Sequence, residues 1–135
     1  MFRIRRIYDT TTEFDRRAVQ QVQEILRAQF GGIGEEAIER LPMELANPLK
    51  YRFRSMIFVA DDTRGTVKGF ALLQHASDIG FCFLDFISVL KGGSGGGLGA
   101  ALYQHVRDES LQLNAIGLFF ECLPDDIRLV TSPDN

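Results

Sequence analysis

The chain has 135 residues, of which 45% are hydrophobic and 24% are charged. This length fits one compact domain spanning residues 1–135, and this composition excludes a disordered or low-complexity chain. The formal net charge of −3 gives no overall attraction to nucleic acid, and the longest apolar stretch, from Ile116 to Cys122, is too short to span a bilayer. Because the N terminus lacks the apolar run of a signal peptide, we expect a cytoplasmic protein. Its two cysteines, Cys82 and Cys122, are expected to be reduced core residues that bind no metal, and metal ligation or a disulfide is kept as the alternative.

The N-terminal part of the sequence predicts a strand followed by a helical region. Alternating apolar and basic residues indicate a strand over residues 2–5. A capping box from Thr10 to Glu13 predicts the start of a helix. A second short helix is predicted over residues 35–41, ending before Pro42. The buried face of the first helix is expected to carry Val19, Val22, Leu26 and Phe30.

The middle of the sequence predicts three antiparallel strands. From residue 50 the period changes to two, with Ser55, Ile57 and Val59 on one face and Met56 and Phe58 on the other. A turn over residues 61–65 leads to a returning strand over residues 67–75. After a second turn, residues 81–90 are apolar on both faces, which indicates a central strand of the sheet. The expected arrangement is an antiparallel meander.

A glycine-rich turn over residues 91–99, KGGSGGGLG, connects this meander to a last helix and strand. Leu98, Leu102 and Val106 recur at four-residue spacing and predict the buried face of the helix. A buried strand is predicted over residues 115–123. Strand, helix and strand in this order require a parallel, right-handed crossover. The expected fold class is therefore α+β, with a mixed sheet built from a meander and one βαβ unit.

The glycine-rich turn predicts an anion site, because glycines at a helix N terminus leave backbone N–H groups accessible and the helix dipole favours negative charge. No lysine follows Gly97, which excludes a Walker-type P-loop. A dinucleotide fingerprint fits the positions of Gly95, Gly97 and Ala100, with Glu121 at about the expected 20 residues further on. That fold needs further βα units, so an NAD-binding domain is kept as the alternative.

The segment from Val89 to Leu102, VLKGGSGGGLGAAL, resembles motif A of the GNAT superfamily of acyl-CoA-dependent N-acetyltransferases, whose signature is Arg/Gln-x-x-Gly-x-Gly/Ala. Gly97 and Gly99 take the two glycine positions, whereas Ser94 stands at the Arg/Gln position and removes a side-chain donor. The order of predicted elements is also similar to the family, and looks most like the acetyltransferase domains found ahead of deacetylase-like hydrolases in some bacterial proteins.

The resemblance implies acetyl-CoA as the acyl donor and a primary amine, on a small molecule or a protein, as the acceptor. It implies that the backbone of Ile87, Ser88 and Val89 pairs with the pantetheine arm, and that no covalent enzyme intermediate forms. The family normally continues into a helix and two more strands with a tyrosine that protonates the thiolate. This sequence has no tyrosine after Tyr103, so we expect a C-terminally shortened fold. The pyrophosphate would be bound by the backbone N–H groups of Ser94, Gly95, Gly96, Gly97, Leu98, Gly99 and Ala100.

The candidate general bases are Asp85 on the central strand and Glu121 on the last strand, since direct attack by an amine requires a group that accepts its proton. Asp85 is expected in phase with Phe83 and Ile87, where a carboxylate would open into a cleft or be buried. A carboxylate paired with an arginine for structural reasons fits the same position. His75, beside a turn, is a third candidate but is also typical of a surface residue.

Three further features of the sequence bear on ligand binding, turnover and assembly. The basic residues Lys50, Arg52 and Arg54 could bind an acidic substrate or the CoA 3′-phosphate, or could form a solvated strand face. Ser94 and the shortened C terminus leave an acyl-CoA-binding domain without turnover as the alternative function. The exposed apolar edge of the strand over residues 115–123 predicts self-association into a homo-oligomer.

Overall fold

The computed structural model describes residues 2–30, 32–47, 53–90 and 97–120. The described elements, in chain order, are β1 (Arg3–Ile7), α1 (Glu13–Gln29), α2 (Glu35–Glu39), α3 (Leu41–Ala46), β2 (Arg54–Asp61), β3 (Val67–Ala76), β4 (Phe81–Val89), α4 (Leu98–Gln112) and β5 (Gly117–Phe120).

The strands form one five-stranded mixed sheet in the order β1-β2-β3-β4-β5. The first four strands pair antiparallel to their neighbours, and β5 lies parallel to β4. The meander and the single crossover predicted from the sequence are therefore confirmed. The alternative dinucleotide-binding fold is wrong, because that fold is built on a mostly parallel, doubly wound sheet.

Helices cover both faces of the sheet. Ile57 and Val59 pack in a cluster with α1, α2 and α3, whereas Met56 and Phe58 pack in a second cluster with α4. The predicted alternation along β2 is confirmed, because neighbouring side chains of a strand point to opposite faces. We call these two sides the α1–α3 face and the α4 face. The predicted buried positions of α4 are confirmed at Leu98, Leu102 and Val106.

Two predicted helix boundaries differ from the structure. The N-cap of α1 is Thr12, whose side chain accepts a hydrogen bond from the backbone N–H of Asp15, so the capping box predicted at Thr10 is wrong. Pro42 does not end a helix. It lies in the first turn of α3, where its missing N–H has no intrahelical partner to lose.

Gly69 sets the position of the C-terminal half of β4. A Cβ atom at this residue would lie 2.9 Å from the backbone oxygen of Ser88 and 3.2 Å from Cδ1 of Leu102. Only glycine therefore allows β3, β4 and α4 to pack this closely. Among the described residues, no helix is long and apolar enough to cross a membrane.

Candidate active site

On one side of β4, the described strands leave its C-terminal half unpaired, and the residues after Phe120 lie outside the described residues. Strands β4 and β5 pair from Phe81 to Leu84 on β4, opposite Gly117 to Phe120, and no other described strand extends this pairing beyond Leu84. We call residues 86–89 of β4 the open edge. Backbone N–H and C=O groups on such an edge can pair with an extended ligand. Ile87, Ser88 and Val89, predicted to contact the pantetheine arm, lie on this open edge.

A β-bulge places Asp85 directly after the last described pair of β4 with β5. Leu73 on β3 pairs with Leu84, and Leu72 pairs with Phe86, so Asp85 is the additional residue between these pairs. The bulge also reverses the alternation, because Phe86 packs in the cluster of the α1–α3 face and Ile87 packs in the cluster of the α4 face. The predicted phase of Asp85 with Ile87 is therefore wrong.

The side chain of Asp85 belongs to a hydrogen-bonded row on the α1–α3 face. Nε2 of Gln74 donates to Oδ2 of Asp85 at 3.1 Å, and Oε1 of Gln74 lies 3.0 Å from Oγ of Ser55. Oγ of Ser55 is also 3.1 Å from Oε1 of Glu44 on α3. Asp85 itself is exposed to solvent and not buried in the core. A solvent-accessible carboxylate beside the open edge can exchange protons with a bound amine.

The end of α1 is attached to the open edge. Oγ of Ser88 is buried and donates to Oε1 of Gln29 at 2.6 Å, and the rings of Phe30 and Phe86 pack with their centroids 4.9 Å apart. Because the Ser88 hydroxyl donates its proton in this contact, the backbone N–H is the donor of this residue that remains for a ligand. The role of Gln29 has no sequence signal, since a glutamine near a helix end is an ordinary residue.

The N terminus of α4 lies next to the end of β4. Gly97 is its N-cap with φ of +115°, and the first helical hydrogen bond joins the N–H of Ala101 to the oxygen of Gly97 at 2.9 Å. The N–H groups of Leu98, Gly99 and Ala100 thus precede the first intrahelical donor and point out of the helix. Together with the helix dipole they favour an anion. Ser94, Gly95 and Gly96 lie outside the described residues.

The other predicted site residues are placed differently. Glu121, Lys50 and Arg52 lie outside the described residues, and Arg54 is exposed at the start of β2. His75 pairs with Arg54 and Cys82 across the sheet, on the strand position next to Gln74 and so on the opposite, α4 face. It is therefore on the other side of the sheet from Asp85.

Two side chains on the α4 face have pKa values that their surroundings shift. Burial, followed by the charge of Arg54, lowers the pKa of His75, although Glu109 opposes this. Burial raises the pKa of the Cys82 thiol, which is a free cysteine in the core. The described residues contain no group of three or more His, Cys, Asp or Glu side chains that could hold a metal ion.

A mixed sheet of four antiparallel strands and one parallel strand, with a glycine-led helix after its central strand, is the fold of the GNAT-family acetyltransferases, and this chain has that fold. Tetrahymena GCN5 is similar with a TM-score of 0.76 and 15% identity, over 97% of this chain and 76% of that chain. The aminoglycoside N-acetyltransferase AAC(6')-Iy, in complex with CoA, is similar with a TM-score of 0.71 and 16% identity, over 98% and 86% of the two chains.

A GNAT-family acetyltransferase from Streptococcus pneumoniae is similar with a TM-score of 0.62 and 18% identity, over 100% of this chain and 87% of that chain. No protein-family model and no curated protein sequence matches the chain. At these identities the likeness establishes the fold, and the chemistry has to be argued from this chain's own residues.

Proposed function

We propose that the protein is an N-acetyltransferase that moves the acetyl group of acetyl-CoA to a primary amine by direct attack. The observation that carries the proposal is the alignment of three features along β4. Asp85 directly follows the last described pair of β4 with β5, the open edge comes next, and the N terminus of α4 lies at its end, where Gly99 is next to Val89. The open edge can pair with the extended pantetheine arm, and the anion site can bind the pyrophosphate. The carboxylate then lies at the end of the site where the thioester meets the amine.

In the proposed reaction, the open edge aligns the thioester and the helix holds the pyrophosphate. The amine nitrogen attacks the carbonyl carbon, so that a C–N bond forms and the C–S bond breaks. Asp85 accepts the proton that the amine loses, and the departing CoA thiolate takes a proton from solvent. Alignment of the two reactants supplies the larger part of the acceleration, and a positioned base contributes about 10²–10⁴-fold.

An acyl-CoA-binding domain without turnover is the alternative function, and Ser94 favours it. The resemblance to motif A predicts an arginine or glutamine at this position as a donor to the pyrophosphate, and serine is shorter. Backbone N–H groups of α4 remain available in both cases. The two functions share the binding step, so only a measurement of turnover separates them.

The proposal is tested by following release of the CoA thiol from acetyl-CoA with a panel of primary amines. We expect Asp85→Asn to lower kcat about 100-fold, because a general base is lost, and to leave the dissociation constant of acetyl-CoA unchanged. Asp108→Asn is the matched control, since Asp108 is an exposed carboxylate on α4 that bonds Gln104. Full activity of Asp85→Asn contradicts the role of Asp85, and binding without any turnover supports the alternative function.

We further propose that the protein forms a homo-oligomer through the edge that carries β5. Phe119 on β5 is 50% exposed and Ile116, just before it, is 78% exposed. Among the described residues, no strand pairs with the outer side of β5. An edge strand flanked by exposed apolar side chains favours pairing with another chain.

A further inference from the structure

The amide group of Gln74 has its orientation fixed by its two neighbours. An ionised carboxylate can only accept hydrogen bonds, so the atom of Gln74 that lies 3.1 Å from Oδ2 of Asp85 must be the amide nitrogen Nε2. The Oε1 atom then faces Oγ of Ser55 at 3.0 Å, where it accepts. Turning the amide over would place Oε1 against the Asp85 carboxylate and so lose that contact.

Ser55 holds the other end of this amide in place. Its side chain is buried, with 6% of its surface exposed, and its Oγ lies between Oε1 of Gln74 and Oε1 of Glu44. One hydroxyl proton can serve only one of these two acceptors at a time. Oε2 of Glu44 lies 3.6 Å from Nε of Arg40, so the row ends in an ion pair at the start of α3. A buried hydroxyl between two elements keeps Gln74 in a single rotamer.

The bulge gives the contact from Gln74 a structural role. Asp85 is the additional residue between the pairs at Leu84 and Phe86, so the ladder does not fix the direction of its side chain as it does for regularly paired residues. The contact from Gln74, on the neighbouring strand, holds one carboxylate oxygen towards the sheet.

We propose that Gln74, supported by Ser55, is a positioning residue that orients the Asp85 carboxylate and keeps it ionised for the incoming amine. The catalytic meaning of this proposal rests on the proposed acetyl transfer, whereas the contact itself does not. Gln74 touches no reacting atom and acts through Asp85. Among the described members of this row, the charged groups are Glu44 and Arg40 at its far end, and His75 lies on the opposite face.

Two substitutions at Gln74 test the proposal by different changes that should act in the same direction. Gln74→Leu removes the donor, so that protonated Asp85 is less disfavoured, and Gln74→Glu places a second carboxylate against Asp85. We expect the acidic limb of the pH profile of kcat/KM to move to higher pH by about half a unit in Gln74→Leu and further in Gln74→Glu. We also expect kcat at neutral pH to fall about 3- to 10-fold in Gln74→Leu, with the KM for acetyl-CoA unchanged.

A matched control and a weaker variant complete the series. Gln104→Leu removes the same kind of contact, an amide Nε2 to a carboxylate at 3.0 Å, on the exposed side of α4, and should leave the pH profile unchanged. Ser55→Ala keeps the glutamine at position 74 but removes the hydroxyl that holds its amide. It should therefore move the pH profile in the same direction as Gln74→Leu, and by less. An equal shift in Gln104→Leu overturns the proposal.

A second readout does not depend on turnover. The Asp85 side-chain carboxyl carbon can be titrated by NMR in the protein without substrate, and its midpoint should move to higher pH in Gln74→Leu and Gln74→Glu. An unchanged midpoint in both variants overturns the proposal whatever the enzyme does. A midpoint that moves in a protein that acetylates no amine overturns the proposed function and leaves the orienting contact established.

Discussion

At the scale of single residues, the position of Asp85 depends on one additional residue in β4. Strict alternation puts Asp85 on the face of Ile87, and the bulge between Leu84 and Phe86 separates them. A bulge is a property of the register between two strands, which period-two patterning along one strand does not contain. The sequence could therefore identify Asp85 as a candidate base but not the face on which it lies.

The partners of Asp85 also illustrate what a single sequence cannot show. Glu44, Ser55 and Gln74 come from α3, β2 and β3, and they meet only because Ser55 and Gln74 are paired across two strands. The period-two pattern correctly predicted the face on which Ser55 lies, because Ser55 is in phase with Ile57 and Val59. The glutamines at positions 29 and 74 carry no local signal, since their roles arise from tertiary contacts.

His75 gives a pH-dependent contribution to stability. Its pKa is lowered by burial and by Arg54, so below the ordinary value of about 6.5 the unfolded chain binds the proton more readily than the folded protein. The stability contributed by neutral His75 is present above that pH and is lost as the pH falls through the lowered pKa. From roughly pH 7.5 to pH 5, the unfolding free energy of the wild type should therefore fall more than that of His75→Gln.

This difference is measured by urea unfolding of both proteins across the pH range. His105→Gln, which replaces the chain's other histidine, on the exposed side of α4, is the control for loss of any histidine. Identical pH dependence in the wild type and in His75→Gln would contradict the assignment.

At the scale of elements, two glycines at the N terminus of α4 differ in structure, although Gly97 and Gly99 both match glycine positions of motif A. Gly97 adopts φ of +115°, which side chains other than hydrogen rarely allow, whereas Gly99 lies within the helix. A Cβ atom at Gly99 would lie 3.6 Å from Cγ2 of Val89, which is an ordinary contact. The sequence therefore predicted the glycine-led helix start, but the structure shows that only Gly97 is required by backbone geometry.

We expect Gly97→Ala to weaken acetyl-CoA binding and Gly99→Ala to preserve it. Alanine at Gly97 is strained by about 1–3 kcal/mol and displaces the turn that begins the helix. Alanine at Gly99 keeps the first-turn N–H groups in place and favours the helix. Isothermal titration with acetyl-CoA measures both variants. Equal affinities for Gly97→Ala and the wild type would show that this helix start is not part of the CoA site.

At the scale of the whole molecule, most of the architecture follows from local patterns. The period-two segments from Arg54 onwards and the turns at residues 61–65 and 77–80 predict the meander, and the order of strand, helix and strand predicts the parallel pair. The errors are at boundaries. The cap of α1 is Thr12 and not Thr10, and Pro42 lies in the first turn of α3, a helix that the pattern did not predict.

The proposed self-association is a property of the assembled molecule. We expect light scattering to give more than the mass of one chain at micromolar concentration. Ile116→Lys, at a position that is 78% exposed, should shift the protein towards the monomer, because a charge opposes edge-to-edge pairing. Its thermal midpoint should stay close to that of the wild type. A monomeric wild type at this concentration would contradict the proposal.

The central claim is that the open edge of β4 and the N terminus of α4 form an acyl-CoA site. Thermal unfolding in parallel titrations with acetyl-CoA and with NAD tests it most directly, because a ligand at 100 times its Kd stabilises the folded state by about 2.7 kcal/mol. The account predicts a rise in Tm with acetyl-CoA and none with NAD. A rise with NAD alone, or no rise with either ligand, would contradict it.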